Sequence, residues 1–351
     1  MSEDKTDRSP NVDRRDFLKV TGAATAGLVT GSVSAEPARA LPPLPSNPVT
    51  PKAVPTRNLG KTGYQVGIFS LGGQASVELP NNEAVAVPIV ERALDLGINY
   101  IDTAAAYGGA ARWSQKYIGQ VMKRRRNETF LTSKTNDRTR DGSLKLLDES
   151  LKLLNTDHLD LWQLHNVARM EQVEQIFKPG GAIEAMQQAR DQKMARFLGV
   201  TGHADPEVLI EMLRRFSFDT LLLALNAADR HRLSFAEKLL PLAVEKQMGI
   251  IGMKIPARGR ILAGWTPPPL EQQREVERPA QPGTLTMREA MYFVLSYPVS
   301  TVIVGCDNVA QVEENVALAR EFTPLSAAQM AALTARTETI ARQALFFRRW
   351  A

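Results

Sequence analysis

The feature that most constrains the fold of this chain is a regular alternation of short apolar runs with segments of helical periodicity. The apolar runs predict strands near Leu71, Tyr100, Phe130, Leu159, Phe197, Leu221, Ile250 and Val302. The periodic segments predict helices over residues 82–96, 114–123, 142–154, 182–193, 206–216, 235–248, 286–297 and 308–320. Eight strands that alternate with helices favour an α/β fold with a closed parallel sheet, the (β/α)8 or TIM barrel.

Local signals mark several boundaries of these elements. The Asp-Pro pair at 205–206 and the capping-box spacing of residues 286–289 both predict helix starts. Pro88 lies inside the first helical segment, which predicts either a kink there or a later start of that helix. Ahead of the barrel, polar-apolar alternation at 56–59 and 65–71 predicts two strands joined by a turn.

Four polar residues stand where apolar runs give way to loop-like sequence. Asp102 closes the second run and Tyr107 follows in the same loop, while Lys134 and His165 close the third and fourth runs. The carboxyl ends of consecutive parallel strands meet on one face, where barrel enzymes carry out their chemistry. Each residue alone also fits a structural role, such as a cap, a surface charge or a core histidine. Their joint placement at strand ends predicts one active site.

The four side-chain types suit proton transfer. A free tyrosine hydroxyl has a pKa of about 10, and a nearby ammonium favours the phenolate, so we expect Lys134 to lower the pKa of Tyr107. The carboxylate of Asp102 keeps the lysine charged and aimed, and the imidazole of His165 holds a carbonyl oxygen in line. The set predicts a proton donor for a carbonyl that receives a hydride.

With these residues the chain resembles the aldo-keto reductase superfamily. Residues 101–108 are similar to the Asp-Thr-Ala-x-x-Tyr signature of that family, and residues 132–134 and 164–166 are similar to the segments with its catalytic lysine and histidine. The similarity extends from about Arg57 to Arg320. It implies a barrel with an N-terminal β-hairpin over its floor, a C-terminal helix, and NADP or NAD as the cofactor.

The resemblance also implies where the nucleotide binds. In this fold the loops after the seventh and eighth strands hold nucleotide phosphates, because helix amino termini offer unpaired N–H groups and a positive dipole end. Lys254 follows the seventh strand and Gly305 follows the eighth, so we expect both near the pyrophosphate. The adenosine contacts of the family correspond to Gln311, Glu314 and Asn315.

Several positions depart from the family pattern. Asp307 stands where many NADPH-using relatives carry an arginine for the ribose 2′-phosphate, and a carboxylate repels a phosphate, so NAD and NADP both stay open. After the fifth strand, Thr201, Gly202 and His203 stand where the family often has Ser-Asn for the nicotinamide carboxamide. After the sixth strand, Asn226 is the polar side chain that remains for this pocket.

The amino terminus is a separate segment. A pair of arginines at 14–15 precedes a weakly apolar run, residues 20–35, and small-x-small sites follow. This pattern resembles a twin-arginine (Tat) export signal, and the run is too short and too weakly apolar for a membrane span. We interpret residues 1–40 as a signal for the Tat export machinery, residues 41–55 as a Pro-rich linker and residues 56–351 as the barrel. The expected location is periplasmic or otherwise exported; a disordered basic tail is the alternative.

The composition bears on which classes of partner and ligand the chain can bind. The formal net charge is +5, but no basic block interleaves with aromatic residues, so no nucleic-acid partner is predicted. The arginines at 124–126 are interpreted as a solvated helix end. Cys306 is the only cysteine, so no intramolecular disulfide is possible, and no metal site is predicted.

Together these features predict an exported NAD(P)(H)-dependent oxidoreductase that interconverts a small carbonyl compound and an alcohol. Two alternatives stay open: a cofactor-binding regulatory subunit with negligible turnover, and a sugar or polyol dehydrogenase with a tightly held cofactor. Candidates for the substrate pocket are Gln74, Trp113 and the irregular loop at 256–283, which we expect to cover the catalytic face.

Overall fold

A computed structural model of the protein describes residues 40–350, so nearly all of the predicted signal segment, residues 1–40, lies outside the described residues. The described chain begins with two antiparallel strands, β1 (Thr56–Asn58) and β2 (Gln65–Gly67), paired in the register Arg57 to Val66. The strands that follow are β3 (Phe69–Gly72), β4 (Tyr100–Asp102), β5 (Phe130–Thr135), β6 (Leu159–Leu164), β7 (Ala195–Gly202), β8 (Thr220–Ala224), β9 (Gly249–Met253) and β10 (Thr301–Val304).

These eight strands pair in parallel in chain order, and β10 pairs with β3, which closes the barrel. The predicted TIM barrel and its hairpin are therefore confirmed.

The α-helices are α1 (Thr50–Ala53), α2 (Glu83–Asp95), α3 (Trp113–Arg125), α4 (Arg140–Leu153), α5 (Met170–Phe177), α6 (Ala182–Asp191), α7 (Pro206–Arg215), α8 (Leu239–Glu245), α9 (Met287–Leu295), α10 (Val309–Arg320), α11 (Ala327–Arg336) and α12 (Ala341–Ala344). Short 3₁₀ turns occupy Ala75–Glu78, Gly109–Ala111, Arg126–Glu128, Asp229–His231, Ala257–Gly259, Leu270–Gln272, Glu275–Glu277 and Glu338–Ile340.

The helix predictions hold with small changes at the ends. Helix α2 begins one residue later than predicted and continues through Pro88. The Asp205 side chain caps α7, and Thr286 and Glu289 form the predicted capping box of α9. Helix α8 is shorter than the predicted segment 235–248, and α5 was not predicted.

The hairpin closes the amino-terminal end of the barrel. Its buried residues Leu59, Tyr64 and Val66 pack with strand residues that point into the barrel, among them Tyr100 and Phe130. Gly60, in the turn, has a φ of +54°, and a Cβ there would lie 2.2 Å from the backbone N of Gly249. The hairpin therefore reaches β9 so closely that only glycine fits at this position.

The segment predicted as a Pro-rich linker, residues 41–55, lies against the barrel. The Asn47 amide donates to the Leu94 carbonyl at 2.8 Å, and the Thr50 hydroxyl donates to the Gly97 carbonyl at 2.7 Å. Both side chains are buried. The structural domain thus begins before residue 56, because hydrogen bonds hold this segment to the end of α2.

A loop and the C-terminal segment cover part of the carboxyl-end face. The irregular loop 256–283 is held by an ion pair between the half-buried Arg260 and the buried Glu277, whose nitrogen and oxygen lie 3.0 Å apart. The Gln343 amide in α12 donates to the carbonyls of Arg260 and Gln281 at 2.8 and 2.7 Å. The C-terminal segment therefore fixes the loop in place.

Two surface features bear on the predicted partners. Arg124 and Arg125 form ion pairs with Glu91 from α2, and Arg126 pairs with the buried Asp160 at 2.8 Å. These arginines are therefore neutralised within the fold. Among residues 40–350 no helix has the length and hydrophobicity that a bilayer span requires.

Candidate active site

A cavity of about 650 Å³ lies at the carboxyl ends of β3, β9 and β10. Its wall includes Asp102 and Tyr107, together with Gln74 and part of the loop 256–283. The loop is therefore at the catalytic face, as the sequence predicts. Trp113 is not among the lining residues and instead stacks on Tyr117, with ring centroids 5.7 Å apart.

Asp102 and Lys134 form a fully buried pair under this cavity. The Lys134 Nζ atom lies 2.5 Å from Asp102 Oδ2 and 2.9 Å from the Thr103 carbonyl oxygen. The Thr132 hydroxyl donates to the second oxygen of Asp102 at 2.9 Å. Strands β4 and β5 are neighbours, so the barrel itself brings the two charges together. The pairing offsets the cost of taking both charges out of water.

Tyr107 lies above this pair. Its hydroxyl accepts from Lys134 Nζ at 3.5 Å, and the ammonium also lies 4.8 Å from the centre of the ring. The expected net lowering of the Tyr107 pKa is wrong, although the Lys134 ammonium lies where it favours the phenolate. Withdrawal from water raises that pKa well above its usual value, the charges of Asp102 and Glu78 raise it further, and the charge of Arg258 only partly opposes them. Tyr107 is therefore protonated at neutral pH, the state in which it donates a proton.

His165 stands edge-on to Tyr107, with ring centroids 5.6 Å apart and an interplanar angle of 81°. Burial lowers the pKa of His165 well below its usual value, and the positive charges of Lys134, Arg138 and Lys254 lower it further. The imidazole is therefore neutral at neutral pH. His165 itself is not among the residues that line the cavity, but its ring lies next to Tyr107, which is.

The residues predicted to bind the pyrophosphate and adenosine line the same cavity: Lys254, Gly305, Asp307, Gln311, Glu314 and Asn315. Lys254 has a φ of +64°, and its ammonium donates to the Gln74 side-chain oxygen at 3.1 Å. Burial and the nearby Arg258 lower the pKa of Lys254 to about 8. The buried Asn315 amide donates to the thiol of Cys306 at 3.5 Å, and burial raises the pKa of that thiol to about 12. Cys306 is thus an uncharged packing residue.

The residues predicted for the nicotinamide pocket are outside this cavity lining. The Thr201 hydroxyl accepts from the backbone N–H of Asn166 at 2.7 Å, and His203 Nδ1 lies 2.8 Å from Asn166 Oδ1. Gly202 packs so closely on Leu209 that a Cβ would lie 2.9 Å from its methyl carbons. These three positions therefore hold the neighbouring loop or pack on a helix.

Asn226 is likewise engaged within the fold. Its amide donates to the carbonyls of Ala344 at 3.1 Å and Lys254 at 3.3 Å, and its oxygen accepts from the Ala228 N–H at 3.0 Å. It is fully buried. Asn226 therefore joins the C-terminal segment to the barrel, a role that its position in the sequence did not indicate.

The cavity also contains residues that sequence reasoning did not single out. Arg258, in a 3₁₀ turn with φ +56°, brings a cation to the mouth, and Trp265 adds an aromatic wall. Glu78 also lines the cavity, and its carboxylate accepts from the Gln74 amide at 3.2 and 3.3 Å. The one signal for Arg258 and Trp265 was their place in the irregular loop; for Glu78 the sequence carries none.

Comparison with known proteins agrees with this geometry. Residues 65–338 match the Aldo/keto reductase family, and residues 11–31 match the TAT (twin-arginine translocation) pathway signal sequence. The second match shows that the chain carries a Tat signal for export to the periplasm or beyond, and the Tat machinery is therefore a partner.

Individual relatives are distant but cover most of the chain. An L-galactose dehydrogenase of Arabidopsis thaliana is 28% identical over 77% of this chain and 89% of its own length. The uncharacterized oxidoreductase YqkF of Bacillus subtilis is 25% identical over 76% of this chain and 92% of its own. Among solved structures, the holo form of the aldo-keto reductase AKR11C1 from Bacillus halodurans has a TM-score of 0.66 at 24% identity, covering 81% of this chain and 96% of that one. This last similarity shows the fold.

Proposed function

The chain belongs to the aldo/keto reductase family, and on this basis we propose that it is an exported NAD(P)(H)-dependent oxidoreductase that interconverts a carbonyl compound and an alcohol. One observation carries the proposal. Tyr107, next to the buried Lys134–Asp102 pair, shares a cavity with Lys254 and Arg258. A proton donor and an anion-attracting wall thus open into the same space.

The residues of the cavity fit a nicotinamide dinucleotide. Lys254 and Arg258 supply positive charge for the pyrophosphate, and Gly305 lets the backbone approach it. Helix α10 directs its amino terminus toward the same wall, with Asn308 as its cap. When bound, a nicotinamide supplies or accepts the hydride. The family uses NADH or NADPH, and Asp307 places a carboxylate at the mouth of the cavity, where it repels a ribose 2′-phosphate.

Tyr107 donates the proton when a carbonyl is reduced and accepts it when an alcohol is oxidised. Lys134 stabilises the phenolate that forms as the proton leaves, and Asp102 keeps the ammonium fixed under the hydroxyl. The neutral ring of His165, next to Tyr107, donates to the substrate oxygen and so helps to fix the line of proton transfer.

Parallel fluorescence titrations of the purified mature protein with NADH and NADPH test the proposal, after any co-purified nucleotide has been identified. The complex is then assayed with a carbonyl probe, 4-nitrobenzaldehyde. Saturable binding followed by turnover is the expected result. Binding with turnover at the background rate would favour a regulatory subunit, and binding of neither nucleotide would contradict the proposal.

A sugar or polyol dehydrogenase is the second candidate. It is favoured by the relative named L-galactose dehydrogenase and by the polar side chains of Gln74 and Glu78 near Tyr107, which suit a hydroxylated substrate. Oxidation of L-galactose and other aldoses with NAD⁺ or NADP⁺ distinguishes the two. A higher kcat/KM for aldoses than for 4-nitrobenzaldehyde would support this candidate.

A further inference from the structure

Arg138, in the loop after β5, binds the loop that carries His165. Its Nη2 atom donates to the His165 carbonyl oxygen at 2.6 Å and to the Asn166 carbonyl oxygen at 3.1 Å. Arg138 is not among the residues that line the cavity. It therefore acts on the site through the backbone of its neighbours.

The backbone that Arg138 holds has an unusual conformation. Asn166 has a φ of +50°, in the left-handed region, which asparagine adopts more readily than most non-glycine residues. The Thr201 hydroxyl accepts from the Asn166 N–H at 2.7 Å, and the Asn166 side-chain oxygen lies 2.8 Å from His203 Nδ1. Arg138, Thr201 and His203 thus hold this turn from three directions.

The guanidinium of Arg138 has buried donor atoms without partners in the described part of the chain, which costs free energy of folding. Its Nε and Nη1 atoms are buried and have no hydrogen-bond partner among the described residues. Burial lowers the pKa of Arg138 to about 10, and only Asp137 opposes that effect. A guanidinium that satisfies two adjacent carbonyls while half of it stays unpaired is unfavourable for stability alone.

We propose that Arg138 is a positioning residue: by clamping the carbonyl oxygens of His165 and Asn166 it fixes the left-handed turn, and the turn directs the His165 ring toward the reacting oxygen. The role of that ring in the reaction rests on the proposed function. The clamp itself does not, because it is a property of the loop.

The charge of Arg138 also affects His165. The groups that face this imidazole are Lys134 from β5, Arg138, Lys254 after β9, and the uncharged rings of Tyr107 and His203. The cations, together with burial, keep His165 neutral. Loss of Arg138 removes one cation and loosens the turn, so the pKa of His165 is expected to rise.

NMR of the ¹⁵N-histidine-labelled protein tests the clamp without any need for turnover. The chain has four histidines, so the ring signals can be assigned with single His→Gln variants. Arg138→Met is expected to shift the His165 and His203 ring signals and to raise the pH at which His165 titrates. Arg138→Lys is expected to give an intermediate shift. The matched control is Arg140→Met, at an exposed residue two positions away that pairs with Asp141 at 2.9 Å.

Kinetics give the second readout. Arg138→Met is expected to lower kcat by about ten- to a hundredfold through misplacement of a reacting group, while the nucleotide Kd changes less than about threefold. Guanidinium added to Arg138→Ala is expected to restore part of the rate. Unchanged His165 signals in a folded Arg138→Met variant, or equal effects of Arg140→Met, would overturn the proposal.

The NMR and the kinetic measurements together distinguish a failure of the Arg138 clamp from a failure of the proposed function. A protein that turns over no carbonyl probe, yet shows the histidine shifts, contradicts the proposed function and supports the clamp. If Arg138→Met does not fold, the same signals are measured in Arg138→Lys, which keeps the positive charge but replaces the planar guanidinium with an ammonium on a shorter side chain.

Discussion

The carboxyl-end face of the barrel has two unlike halves. In the open half, the loops after β3, β9 and β10 border the cavity with Tyr107 and Lys254. In the sealed half, residues 341–350 cover the ends of β7 and β8. There Arg348 pairs with Asp229 at 2.5 Å, and donates to the carbonyls of His203 and Ala224 at 2.5 and 3.0 Å.

Residues that directly follow barrel strands are therefore open to the cavity in one half and covered in the other. Lys254 and Asn226 both follow barrel strands, yet Lys254 lines the cavity whereas Asn226 binds the backbone of Ala344. What differs is the end of the chain, which fills one half only. A polar residue at a strand end is thus a site candidate only where the C-terminal segment leaves it open to the cavity. Four substitutions test this contrast.

Tyr107→Phe is expected to have the largest effect, in the open half. Removal of the hydroxyl removes the proton donor, so kcat is expected to fall about 10² to 10⁴-fold, with little change in the Kd of NADH or NADPH. Tyr297→Phe, at a half-buried tyrosine after α9, is the control. Steady-state kinetics and fluorescence titration provide the check, and unchanged turnover of Tyr107→Phe would remove Tyr107 from the mechanism.

Arg348→Met should destabilise the sealed half. Both members of the Arg348–Asp229 pair are fully buried, and loss of one member leaves an uncompensated charge at a cost of about 3 to 5 kcal/mol in the free energy of unfolding. Arg349→Met, which breaks the more exposed pair with Asp205, is expected to cost about 1 kcal/mol or less. Urea unfolding measures both. Equal losses for the two variants would show that the sealed half is not held by Arg348.

Lys254→Met tests the open half through the pH dependence of nucleotide affinity. The pKa of Lys254 is lowered to about 8, so its ammonium is charged below that pH and neutral above it. Nucleotide affinity is therefore expected to weaken as pH rises through about 8. The variant should bind about tenfold more weakly at pH 7, the loss of a charged hydrogen bond worth about 1.5 kcal/mol.

The same titrations, repeated from pH 6.5 to 9, check this expectation. The loss of nucleotide affinity above about pH 8 should disappear in Lys254→Met. It should persist in Lys238→Met, whose exposed ammonium pairs with Glu207 at 3.0 Å. If nucleotide affinity falls equally steeply with pH in both variants, a group other than Lys254 causes the pH dependence.

Asp307→Asn is expected to have the smallest effect, because Asp307 is exposed at the mouth and water screens its charge. Removal of the carboxylate should shift the ratio of NADH to NADPH affinity toward NADPH by about fivefold, the value of a surface charge interaction of about 1 kcal/mol. Gln311, whose oxygen accepts from the Asp307 N–H at 2.7 Å, keeps the loop in place. No change in the ratio would show that Asp307 does not face the ribose.

Sequence reasoning succeeded where the signal is local. The strands, the hairpin and most helices follow from periodicity and caps, and Asp102 and Lys134 were paired by the rule that neighbouring parallel strands end on one face. It failed for the sealed half, because Asn226 and Ala344 are 118 residues apart and Arg348 and His203 are 145 residues apart. No local pattern records such contacts.

The order and spacing of residues along the chain were enough to predict the barrel, the Tat signal and the convergence of Asp102, Tyr107 and Lys134 at the carboxyl-end face. Only the tertiary structure decided which of them stay open to a ligand and in which protonation state. Tyr107 is the instructive case: its lysine neighbour was predicted correctly, yet burial and the charges of Asp102 and Glu78 raise its pKa. Burial and the sum of nearby charges are properties of the packed chain, and they set the free energy of a proton.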